Sequence, residues 1–148
     1  MKRTLKTMMI ALCCAASCFT MAMADNDKPI SVKTLPVKAQ TVLNTYFKSQ
    51  TVLLATVEAG IINKSYDVVL QNGTKVEFDQ KGKVTEIECK QGAVPAYFIP
   101  QAIKNYLNKN YPGQSVKKIE FKTKEYEVEL TNGVDLTFNK KFQVTDID

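Results

Sequence analysis

Glu127 and Glu129 stand two residues apart in the run Tyr126–Leu130. In an extended strand that spacing puts both carboxyls on one face, roughly 6.5–7 Å apart. An inverting glycosidase holds its acid and its base at such a separation. Glu86 and Glu88 repeat the arrangement. Acid catalysis near neutrality needs one carboxyl kept protonated by a dry surrounding. Here Tyr126, Val128 and Leu130 alternate with the glutamates and place them on the wetted side. The chain has no histidine, so a serine or cysteine nucleophile has no imidazole base and the commonest metal ligand is missing. Glycine-rich phosphate loops and calcium-loop spacings are also missing. The expectation is a protein without catalysis and without a cofactor or metal.

The same residues read better as a contact surface. Asp67, Lys75, Glu77, Lys118, Glu120, Glu127, Glu129 and Asp135 alternate outward with both signs of charge. Mixed charge on a broad face complements a protein partner and sets its specificity.

Charge and cysteine usage narrow the setting. The N-terminus has Lys2, Arg3 and Lys6, an apolar run to about Met23 and the small-x-small triplet Ala22–Ala24. This is the pattern of a secretory signal over residues 1–24, too short for a comfortable transmembrane segment. A lipoprotein cut would instead leave a lipid anchor at Cys18, although the usual leucine three residues earlier is missing. The expected location is periplasmic or secreted. The whole chain carries a net charge of +5. Without the signal it has 17 lysines against 15 acids, net +2, and its only arginine, Arg3, is gone. Lacking an arginine fork or a basic stripe, it is not expected to bind nucleic acid. Cys89 is the only cysteine beyond the signal. It has no internal disulfide partner and is expected to be a small buried side chain.

The elements that position these residues are written twice. Tyr66–Asp79, "YDVVLQNGTKVEFD", matches Tyr126–Asn139, "YEVELTNGVDLTFN". Each half opens with a helix. Ala39, Val42, Leu43 and Tyr46 make one apolar stripe, and Ala102, Ile103, Tyr106, Leu107 and Tyr111 the other. Pro36 and Pro100 stand at the helix starts, where a missing donor does little harm. The period then changes to two. Asn72-Gly73 and Asn132-Gly133 between alternating runs predict hairpins with type I′ turns. Val52–Val57 and Val116–Phe121 supply a strand before each hairpin, and a further strand follows it. Phe142 replaces Gly82 in the later turn, which predicts a different turn geometry there. The first half has four extra residues between its first two strands. At two per arm they keep the side-chain alternation and carry the 58–65 hairpin about 7 Å further, with Ile61 and Ile62 near its tip.

Helix followed by YxVxL-xNG-xxxxF-xxxGKVxxIxC, twice after a signal, resembles the PepSY-like family of exported proteins, described as similar to β-lactamase inhibitor proteins. The resemblance rests on Tyr66, Asn72, Gly73, Phe78, Gly82, Lys83, Ile87 and Cys89, with Tyr126, Asn132, Gly133, Phe138 and Ile147. It implies an α+β fold of two tandem repeats, each one helix plus a four-stranded antiparallel sheet. The expected division is a flexible lead at 25–34, a first repeat at 35–91 and a second at 92–148. The expected function is an exported, non-catalytic protein-binding or inhibitor-like module. Its contact surface would be the open sheet face, with Ile61 and Ile62 on the hairpin, and its partner an extracytoplasmic protein. The alternative is a periplasmic small-ligand binding or sensor protein using the groove between repeats.

Overall fold

The computed structural model describes residues 27–60 and 63–148. The predicted signal (1–24), Cys18 and the pair Ile61 and Ile62 lie outside them. Along the chain come β1 (Asp27–Pro29), α1 (Val37–Tyr46), β2 (Val52–Ala59), β3 (Lys64–Leu70), β4 (Lys75–Asp79) and β5 (Val84–Glu88). Then follow α2 (Gln101–Asn110), β6 (Val116–Phe121), β7 (Glu125–Leu130), β8 (Asp135–Asn139) and β9 (Val144–Ile147).

The expected pair of four-stranded sheets is not what forms. The strands make a single antiparallel sheet of nine, in the order β1 to β9. The join is the pairing of β5 with β6, in the register Glu86↔Glu120, Ile87↔Ile119 and Glu88↔Lys118. Cys89 N–H donates to the Lys117 carbonyl and Val94 N–H to the Val116 carbonyl, both at 2.8 Å, and these bonds extend the seam. Two separate sheets would leave both of those edges with unpaired backbone groups, so pairing the halves satisfies them. The ninth strand comes from the segment expected as a lead. Asp27–Pro29 pairs with Thr56–Glu58 and covers the edge of β2.

Both helices lie on one side of this sheet. Ala39 and Leu43 of α1, and Ile103 and Leu107 of α2, are buried in one continuous core with Val68, Val76, Phe78, Ile87, Ile119, Leu136 and Phe138. Fully burying a side chain of this size stabilises by about 1.5–3 kcal/mol. Neither helix has a side-chain cap or an acidic residue in its first turn, so both depend on this packing. Ala102, placed on the apolar stripe by its spacing, is exposed. Cys89 is buried, and burial pushes its thiol above the ordinary range, against a hydrogen bond with Thr74.

The hairpin turns differ from expectation in type. Only the glycine of each Asn-Gly pair has positive φ, 79° at Gly73 and 84° at Gly133. Leu70 N–H donates to the Thr74 carbonyl (2.8 Å) and Gly73 N–H to the Leu70 carbonyl (2.9 Å). That is a three-residue loop closed by a left-handed residue, not a two-residue type I′ turn. Asn72 helps by accepting the Thr74 amide on its Oδ1 at 3.0 Å.

Candidate functional site

The side of the sheet away from the helices is built by the polar half of each alternation. The pairings Asp67↔Glu77, Glu77↔Glu86, Glu86↔Glu120 and Glu120↔Glu127 place five carboxylates directly opposite one another, one per strand, across β3 to β7. At ~4.8 Å between strands this line is about 19 Å long. A second row runs beside it through Lys75, Glu88, Lys118, Glu129 and Asp135. Like charges set opposite one another destabilise a sheet, so the lysines determine whether the line is tolerated.

They hold it at three points. Lys75 Nζ bridges Asp67 Oδ2 at 3.1 Å and Glu77 Oε1 at 2.6 Å. Lys118 Nζ meets Glu86 Oε2 at 3.0 Å. Lys122 Nζ reaches Glu120 Oε2 at 3.9 Å and donates a short hydrogen bond to Glu127 Oε1. Beside the line, Lys117 Nζ pairs with Glu129 Oε1 at 2.6 Å.

These contacts shift the titrations in readable ways. Burial lifts Asp67 above the usual aspartate range, the Glu77 charge adds to that, and Lys75 recovers only part. Burial also raises Glu86; the Lys118 hydrogen bond opposes it and the Glu77 and Glu120 charges reinforce it. Glu120 is raised by burial and by the Glu127 charge, against Lys122. Burial alone would lower Lys75, but its bond to Glu77 and the Asp67 charge outweigh that and hold the ammonium above the ordinary lysine range.

The sequence candidates divide into two groups here. Lys118, Glu127, Glu129 and Asp135 line a polar hollow of about 410 Å³ with Asp146 and Thr137 over β6 to β9. Lys75 and Glu77 form a separate knot with Asp67 on β3 and β4, and Glu120 stands between the groups in the carboxylate line. Ile61 and Ile62 are outside the described residues. The hairpin that carries them is longer than its counterpart. Val57↔Tyr66 matches Phe121↔Tyr126, and the first ladder then adds Glu58↔Ser65 and Ala59↔Lys64.

The roles of Glu86, Lys117, Lys122 and Asp146 on this face were missed. The alternation Thr85–Glu88 signalled an outward Glu86, but its central place depends on the β5–β6 pairing, which no local pattern announces. Lys117 faces Glu129 because the ladder shifts register between Val116 and Lys118. The glutamate pair that suggested glycoside hydrolysis is occupied otherwise: Lys122 holds Glu127 and Lys117 holds Glu129. Among the described residues, no group of three or more acidic, cysteine or histidine side chains is arranged to hold a metal ion.

Residues 64–146 match the family described as "Putative beta-lactamase-inhibitor-like, PepSY-like". Three solved structures share the fold along nearly their whole length. One, described as a putative periplasmic protein of the DUF2874 family from Bacteroides vulgatus, is 48% identical, with a TM-score of 0.82 over 85% of this chain and 99% of its own. A second, described as a putative calcium-regulated periplasmic protein from Bacteroides thetaiotaomicron, is 46% identical, with a TM-score of 0.80 over 84% and 98%. A third, from Bacteroides vulgatus and described as of unknown function, is 36% identical, with a TM-score of 0.78 over 82% and 98%. No curated protein matches the chain. The chain belongs to the PepSY-like family.

Proposed function

Proceeding from that membership, we propose that the protein works in the periplasm as a non-catalytic binding module that recognises another extracytoplasmic protein through the open face of its sheet. The carboxylate line carries this reading. A face made only for solubility would set opposite charges across neighbouring strands in every row, as the row through Lys75, Glu88, Lys118 and Glu129 does. The line beside it instead keeps five like charges in register, at a cost that the lysines only partly offset. Such a surface suits a partner with a basic patch, since complementary potentials steer encounter and suppress wrong partners. The inhibitor-like description of the family and the periplasmic descriptions of its solved relatives support the same reading. Among the described residues no helix is long and apolar enough to cross a membrane.

Immobilised chain should retain one specific protein from periplasmic extract. Glu127→Lys should abolish that retention, and Ile61→Asp on the long hairpin should weaken it. Equal retention by wild type and both variants would refute the proposal. The small-ligand alternative predicts instead a melting temperature that rises with the concentration of one compound.

A further inference from the structure

Charge is sorted through the thickness of the molecule. Opposite the acidic sheet face, α1 carries Lys38 and α2 carries Lys104 and Lys109, and neither helix contains an acid. The Asp79–Lys83 turn adds Lys81 and Lys83 beside the start of α1. It approaches so closely that a Cβ on Gly82 would stand 2.8 Å from Ala39 N and 3.2 Å from Lys38 Cβ. The acid in that turn, Asp79, is spent on the turn itself, with Oδ1 accepting the amides of Lys81 (2.8 Å) and Lys83 (2.9 Å).

On the same side stand two apolar side chains that the core does not use. Val37 is 78% exposed and Tyr97 71% exposed. The Tyr97 ring is nevertheless held in place, stacked on Tyr46 at 4.4 Å and edge-on to Phe98 at 5.3 Å. With Lys38, Thr41, Val42 and Tyr46 they line an open, mostly apolar hollow of about 320 Å³.

We propose that this helix side docks peripherally on an anionic lipid surface. Tyr97 and Val37 enter the headgroup boundary, the lysines meet the lipid phosphates, and the sheet faces away from the bilayer. Apolar side chains set in a lysine field are the signature of an interfacial element, and tyrosine is enriched at that boundary. Lysines carried on two helices without acids, with Asp79 the acid in the adjoining turn, gain from the negative surface potential. A second copy of the chain offers an anionic surface too, its sheet face. The hollow there is lined mostly by polar side chains, among them Lys118, Glu127, Glu129, Asp135 and Asp146. Its two apolar residues, Val128 and Leu136, are almost fully buried, so it offers Tyr97 a poor apolar seat. The inference stands independently of the partner on the sheet.

The test mixes the chain lacking its predicted signal with vesicles of phosphatidylglycerol and phosphatidylcholine, or of phosphatidylcholine alone, and sediments them at low and physiological salt. Binding is expected to the anionic vesicles only and should fall as salt rises. Tyr97→Asp, and the pair Lys38→Glu with Lys81→Glu, should each weaken it by about tenfold or more, whereas Glu127→Lys on the opposite side should not weaken it. All of the altered helix-side residues are exposed, and unchanged circular dichroism confirms that the variants fold. Sedimentation with neither vesicle, equal sedimentation with both, or wild-type binding by Tyr97→Asp and the lysine pair overturns the proposal. So does self-association without vesicles that the same variants abolish, which would assign the patch to a second copy.

Discussion

The turn at Asp79–Lys83 and the turn at Asn139–Gln143 follow one backbone path with different residues. In each, the first amide donates to the fifth carbonyl at 2.9 Å, and the fourth amide to the first carbonyl at 2.9 Å. The first side chain also accepts the amides of the third and fifth residues. The fourth residue is left-handed in both, with φ 76° at Gly82 and 61° at Phe142. The different turn geometry expected from the Phe142 substitution therefore does not occur. What changes is the packing. Gly82 lies against the backbone at the start of α1, leaving no room for a side chain. Phe142 accepts a strained conformation, and its ring stacks on Tyr126 at 5.4 Å and 18°. Lys140 sits over the other partner of that stack, 3.9 Å from the Tyr126 ring centre. One half closes its turn by backbone contact with a helix, the other by an aromatic ring.

The strongest test of this contrast lies in the core beneath the turns. Phe78 and Phe138 are both fully buried, so replacing either with alanine should cost about 3–5 kcal/mol in denaturant unfolding. Phe138 also meets Tyr106 edge-on at 5.4 Å, where the first half has Val42. Phe138→Ala should therefore cost more than Phe78→Ala, by about 0.5–1.5 kcal/mol. Equal costs would show that the halves are energetically alike.

Gly82→Ala comes next. It adds a Cβ 2.8 Å from Ala39 N and Pro36 Cβ, and adds left-handed strain. A loss of about 2–4 kcal/mol is expected, read as a lower denaturation midpoint. A near-neutral result would mean that the first turn can retreat from its helix.

At Phe142 the informative result is an order. Phe142→Ala loses the ring and keeps the strain, whereas Phe142→Gly loses both. The glycine variant should be more stable than the alanine variant by about 1 kcal/mol. The reverse order would mean that the left-handed conformation carries no cost.

The smallest effect is on the sheet face, where Glu86 of the first half opposes Glu120 of the second. Both carboxyls are raised in the folded protein, so the folded state binds their protons more tightly. That contribution is fully present below the unfolded carboxylate range and is lost as pH rises through the raised folded values. Glu86→Gln and Glu120→Gln should each flatten this fall in melting temperature toward neutral pH, by about 1–2 °C given their screening by solvent. The double variant should change it by less than the sum, because the two share one repulsion. Additive effects would argue against their facing each other across the seam.

Much of the fold was legible because it is local. The period of two in Tyr126–Leu130 and the stripe through Ile103 and Leu107 name their elements without reference to anything distant. The two extra residues per arm in the first hairpin followed from side-chain parity alone. The turn type was missed because Asn-Gly serves both two- and three-residue loops, and only the position of the glycine amide distinguishes them. The seam was missed because strands β5 and β6 meet across a helix and its connections. The site suffered in proportion. Outward residues were identified strand by strand, but the line they form across the sheet is a product of register.

By itself, the amino-acid order determined which residues turn outward and which inward wherever the alternation of a strand or the repeat of a helix runs unbroken, with Ala102 and Lys117 as exceptions. It also set the chemistry on offer, carboxylates and lysines without histidine. Tertiary structure decided that the halves share one sheet, that five carboxylates align across it, and that Tyr97 and Val37 meet Lys38 around one hollow on the opposite side. Those outcomes depend on the pairing of segments far apart in the chain, where unsatisfied edges and buried core, rather than neighbouring residues, set the free energy.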